Sequence, residues 1–139
     1  MNYMLDTNTC IYLMTGKEPA WQQSILARLE TLGADDAVAL SSVVVSELSY
    51  GVQKSRWKKA NAELLREFQL DFQIKVYDEA AAHNYGLVRA ALEKKGHPIG
   101  PLDTLIAAHA LSLKMVLVTN NLREFARVPE LKVENWVER

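Results

Sequence analysis

The sequence predicts an α/β protein, a three-layer α/β/α sandwich built around a central parallel sheet. Three observations carry this expectation. The apolar period switches back and forth between short runs rich in Val, Leu and Ile and longer stretches at helical spacing. The short runs are nearly continuously apolar, as strands covered on both faces should be. The two kinds of segment alternate along the chain, the pattern of successive βαβ units.

The elements follow in order. "YML" (3–5) reads as a short buried strand, and "TNTCIYLM" (7–14) as a helix packed on the sheet. Trp21, Ile25, Leu29 and Leu32 recur at helical steps, with Gly33 as a stop. "AVALSS" (37–42) reads as a second strand, followed by a helix that carries Glu47. "IKVY" (74–77) is a third strand. Ala81, Tyr85, Val88 and Leu92 mark a helix that ends in a basic last turn before Gly96 and Pro98. "PLDTLIAAHALSL" (101–113) is rich in helix formers, with Pro101 suited to the first turn. "MVLVT" (115–119) and "LKVENW" (131–136) complete the set of strands.

Composition bounds the function classes. The chain has 139 residues, which fits a single domain over 1–139. Hydrophobic residues make up 49% and charged residues 24%, the balance of an ordinary globular domain. No apolar run approaches the roughly 20 residues needed to span a bilayer. No basic segment followed by a long apolar stretch opens the chain, so a cytoplasmic location is expected. Cys10 is the only cysteine, which excludes an intramolecular disulfide framework. Sixteen basic against seventeen acidic residues give a net charge of −1, which argues against a simple polycation clamped on nucleic acid.

In a parallel sheet, ligands gather at the carboxyl ends of the strands. "YMLDTN" places Asp6, Thr7 and Asn8 at that rim, directly after the first strand. Glu47 lies early in the helix after the second strand, and Asp103 in the first turn of the helix entered through Gly100 and Pro101. Glu124 follows the fourth strand in "VTNNLREF". Taken singly, each is also an ordinary solvated carboxylate. Asp103 is equally plain helix-start chemistry, worth about 0.3–1 kcal/mol. Taken together at strand exits, they point to a cation, because clustered carboxylates repel one another unless one is bound. Oxygen-only donors favour Mg²⁺ or Mn²⁺. Asp6 and Asp103 are the expected first ligands, with Glu47 completing the metal's shell or orienting the water. Asn8, Ser42 and Thr119 are expected to hold them by hydrogen bonds. Such a site suits phosphodiester hydrolysis.

At these residues the chain resembles PIN-domain ribonucleases, and more narrowly the VapC-type toxins of type II toxin–antitoxin systems. The resemblance runs nearly end to end. "MLDTNTCIYLM", "SSVVVSELSYG", "KGHPIGPLDTLIAAHAL" and "LVTNNLREFARVPELKVENW" carry it, in order. It implies an endoribonuclease that uses Mg²⁺ or Mn²⁺, cuts structured RNA such as transfer RNA, and stops translation. It also implies a homodimer neutralised by a VapB-type antitoxin, which alone contacts operator DNA. By position, Asp6, Glu47 and Asp103 match the family's three most regular acidic sites. Many relatives place a fourth Asp where this chain has Asn121, so Glu124 or Asn121 fills that place.

Other residues carry weaker signals. Cys10 reads as a buried packing residue. His83, His97 and His109 are too scattered for a metal triad. His109 reads as structural, and His97 lies in the loop before Asp103. "KSRWKKAN" (54–61) and "EKKGH" (93–97) read as solvated helix faces or, given an RNA substrate, as phosphate contacts with Trp57 able to stack on a base. Arg123 and Arg127 are similar candidates. Tyr12, Leu13, Leu48 and Val52 read as core or as an apolar groove for a partner. Two other readings stand beside the nuclease. One is a phosphatase with Asp6 as nucleophile, disfavoured because Asn8 stands where a second Asp belongs. The other is a doubly wound interaction module without turnover.

Overall fold

The computed structural model describes residues 1–137. Five parallel strands form one sheet in the order β3-β2-β1-β4-β5. They are β1 (Asn2–Leu5), β2 (Ala37–Ser41), β3 (Gln73–Lys75), β4 (Val116–Val118) and β5 (Val133–Glu134). Seven helices connect them: α1 (Thr7–Thr15), α2 (Pro19–Glu30), α3 (Ser42–Lys54), α4 (Lys58–Leu70), α5 (Glu79–Lys94), α6 (Pro101–Ser112) and α7 (Leu122–Phe125). The result is the three-layer α/β/α sandwich expected from the alternation of elements.

The central strands are buried as their composition demands. Met4, Leu5, Leu40, Leu117 and Val118 have no exposed surface. Ile25 of α2, Val44 of α3 and Ile106 of α6 close over them. Helix α6 is apolar nearly all round and buries Thr104 and every residue from Ile106 to Ala110. Burial along most of its length seats α6 firmly beneath the tip that carries Asp103, while Pro101 and Leu102 at that tip stay exposed.

The edges depart from expectation. The third strand shrinks to Gln73–Lys75, and Ile74 and Val76 are 37% and 73% exposed, so it is not covered on both faces. The last shrinks to Val133–Glu134. Each pairs with only one neighbour, and a strand with a single partner loses its ends to solvent more readily. Helix α4 extends well past "KSRWKKAN", the stretch in which the sequence shows only a charged helix face. Its core-facing residues, Leu65 and Phe68, lie beyond the basic stretch.

Candidate active site

Strand order reverses between β1 and β4: β2 and β3 lie beyond β1, and β5 lies beyond β4. The connections leaving β1 and β4 depart in opposite directions there, which opens a crevice at the carboxyl ends. Asp6 follows β1 and Thr119 follows β4, so both stand at its edge. The Asp6 N–H donates to the Val118 carbonyl at 3.0 Å, which ties the two strand tips together.

Asp6 is also the N-cap of α1. Its Oδ1 accepts the Thr9 N–H at 2.8 Å, which satisfies a helix donor and fixes the carboxylate's orientation. Only 4% of the residue is exposed. Burial raises its pKa, hydrogen bonds from Thr119 and Thr9 oppose the rise, and the charge of Glu47 adds to it. Thr119 therefore does hold Asp6, and its Oγ1 also accepts the Asn121 N–H at 2.9 Å.

Asp103 is half-buried in the first turn of α6. Its carboxyl is pushed up to about 6, first by burial and then by the charges of Glu124, Glu47 and Asp6. The charges of the other three acidic residues named from the sequence thus all act on Asp103. Glu124 weighs most on Asp103 among the charges. It accepts a hydrogen bond at 2.9 Å from the Asn121 Nδ2, so the two candidates for the fourth place are in contact.

The remaining residues divide. The Thr7 hydroxyl donates to Glu47 Oε1 at 2.7 Å, a contact that sequence reasoning missed although "DTN" had drawn attention to this tip. Ser42 does not turn to the carboxylates: its Oγ accepts the Tyr77 N–H at 3.0 Å and anchors the chain after β3. Asn8 is exposed on the first turn of α1. His109 is buried as a structural residue, with Nδ1 2.7 Å from Ser41 Oγ. His97 and Arg123 are exposed, and Arg127 donates to the Pro98 carbonyl at 3.4 Å. Cys10 is fully buried, with its thiol pushed up by burial and by the charge of Asp6.

The donor chemistry fits a hard divalent cation, since every candidate ligand is a carboxylate oxygen. Among the described residues, however, no group of three or more His, Cys, Asp or Glu side chains is placed to hold a metal ion. The acids meet through their charges around Asp103, an acidic ring without a preformed coordination shell.

The family model for the PIN domain matches residues 3–131. The chain belongs to the PIN-domain family. Among PIN proteins it is similar to Ribonuclease VapC2 of Rickettsia felis, at 43% identity over 136 residues, with 98% of each chain covered. It is 39% identical to the tRNA(fMet)-specific endonuclease VapC of Salmonella typhimurium, again over 98% of both chains. Its fold matches the VapBC2 structure from Rickettsia felis bound to a promoter DNA fragment, with a TM-score of 0.88, 40% identity and coverage of 98% and 99%.

No helix among the described residues is long and apolar enough to cross a membrane.

Proposed function

We propose that this PIN-domain protein is a VapC-type toxin: a metal-dependent endoribonuclease that cleaves structured RNA, transfer RNA in particular, and thereby inhibits translation. The observation that carries the reading is the state of Asp103. Burial and the charges of three other carboxylates push its carboxyl up to about 6, a repulsion that a bound cation would relieve. The names of its relatives, a ribonuclease and a tRNA(fMet)-specific endonuclease, supply the substrate class.

Asp6, Glu47 and Asp103 would hold Mg²⁺ or Mn²⁺, with Glu124 at the fourth place. When bound, the cation supplies a lowered pKa for water and neutralises charge on the phosphate in the transition state. The protein's own residues do the positioning. Thr119 and the Thr9 amide orient Asp6, Thr7 orients Glu47, and Asn121 orients Glu124. Burial of Asp6 and the seating of α6 keep the acids from relaxing apart.

A VapB-type antitoxin is the expected partner, since the matched Rickettsia felis structure is a VapBC complex on promoter DNA. Operator DNA would be reached only through that antitoxin. A groove of about 630 Å³ between α1, α2 and α4, lined by Leu13, Met14, Leu29, Phe68 and Phe72, offers apolar surface for such a partner. Of the four groove residues expected from the sequence, only Leu13 lines it; Leu48 and Val52 are core, at 4% and 7% exposed. A homodimer and a cytoplasmic location belong to the same reading.

The test is incubation of the purified protein with total transfer RNA in Mg²⁺, in Mn²⁺ and in EDTA. Cleavage that EDTA stops and that Asp6→Asn abolishes is the expected result. Intact RNA under all conditions would sink the reading.

A further inference from the structure

Tyr50 and Trp57 are the most exposed aromatic side chains among the described residues, at 66% and 65%. The other tryptophans pack inward: Trp136 is 4% exposed, and Trp21 meets Tyr12 edge-on. The two exposed rings carry cations: Lys54 Nζ lies 5.3 Å from the Tyr50 ring centre, and Arg56 Cζ lies 5.1 Å from that of Trp57. Between Glu47 and Glu63 the chain has four cations, Lys54, Arg56, Lys58 and Lys59, and no acidic residue. None of the four is ion-paired among the described residues. In a chain of net charge −1, this is a local positive surface.

Its position relative to the acidic ring follows from helix geometry. Glu47, Tyr50 and Lys54 recur at steps of three and four on α3, so they share one helix face. Val44, Leu48 and Val52 occupy the adjacent, buried stripe. From Glu47 to Lys54 the face runs about 10 Å along the axis, at ~1.5 Å per residue. It continues into a tight turn held by Asn61 Nδ2 donating to Ser55 Oγ at 3.0 Å, which fixes where Trp57 stands. Lys58 and Lys59 begin α4, the end of a helix where cations are least favourable. Neither helix stability nor core packing accounts for them.

We propose that this face of α3 and the α3–α4 turn form a stacking platform for unpaired bases of an RNA loop, leading outward from Glu47. Tyr50 and Trp57 would each offer a ring to one base, and the four cations would follow the phosphates. The proposal rests on the RNA-cleaving reading above and adds a preference for single-stranded loops over paired stems.

The test measures binding in EDTA, where chemistry is stopped. Fluorescence anisotropy would follow a labelled RNA hairpin with a single-stranded loop and a fully paired RNA duplex of equal length. Trp57→Ala and Tyr50→Ala should each weaken hairpin binding about 10-fold and leave duplex binding within about 2-fold, while Trp57→Phe keeps most of the hairpin affinity. Unchanged melting temperatures confirm that the variants fold, since both side chains are exposed. Equal loss for hairpin and duplex, no loss for either, or a loss of self-association in sedimentation instead of RNA affinity would each overturn the platform. Cleavage by the wild type alongside unaltered binding by the variants removes the platform and leaves the nuclease. Ring-dependent binding with no cleavage in any metal keeps the platform and removes the nuclease.

Discussion

The Thr7 hydroxyl holds Glu47 Oε1 at 2.7 Å, joining two residues 40 positions apart. The contact links the first turn of α1 to the second turn of α3 and sets which way the Glu47 carboxylate faces. Thr7→Val keeps the side chain's shape and removes the donor. A hydrogen bond to a charged group is worth about 1.5–3 kcal/mol, part of which solvent recovers at this half-buried site. RNA cleavage should fall about 10-fold with little change in melting temperature, and Thr7→Ser should restore it. Wild-type rates in Thr7→Val would show that Glu47 needs no orientation.

Asp103→Asn should stabilise the cation-free protein near pH 7.5. The folded-state pKa of about 6 lies above the usual carboxylate value, so folded Asp103 binds its proton more tightly than unfolded Asp103 does. Its favourable contribution is full below the unfolded value of 3.8 and is lost as pH rises through about 6. Thermal melts in EDTA should therefore show variant and wild type converging at pH 4 and separating above pH 6. The same variant should lose Mn²⁺ binding by calorimetry. A melting difference independent of pH would contradict the charge-repulsion account.

Glu124→Gln should lower the pKa of Asp103, because Glu124 is the largest charge acting on it. A carbon-detected NMR titration of the Asp103 carboxyl reads this directly. Cleavage should fall as well, by about 100-fold if Glu124 holds the fourth place. An unmoved titration would remove Glu124 from the ring.

Ser41→Ala tests the support beneath α3. The Ser41 Oγ accepts the Val43 N–H at 3.0 Å and meets His109 Nδ1 at 2.7 Å, with both side chains buried. Loss of a cap together with a buried partner costs about 2 kcal/mol. That corresponds to a melting temperature lower by roughly 6 °C in a domain of this size. Activity at low temperature should persist, since neither group faces the carboxylates.

The central strands and the four acids were legible because each is a local signal: an apolar run, then a carboxylate at its end. The edge strands were over-extended because "IKVY" and "LKVENW" are apolar enough for pairing, while the number of partners is a property of the whole sheet. Helix α4 was obscured by the charge of its first turn, although Leu65 and Phe68 stand at helical spacing. Thr7 was visible in the chain but not its partner, since only the approach of α1 to α3 brings Glu47 within reach. Ser42 stands at a strand exit beside Glu47's helix, and its place in the chain alone suggests a partner for the carboxylates. The chain after β3 passes close enough to engage its hydroxyl, and no sequence pattern encodes that passage.

Cys10, sealed beneath the Asp6 turn, makes the protein its own opening sensor. As the sole thiol in 139 residues and fully buried, it should react with an alkylating reagent only when the packing around α1 opens. The rate of modification therefore times the excursions of the element that carries the first acid, without any engineered label.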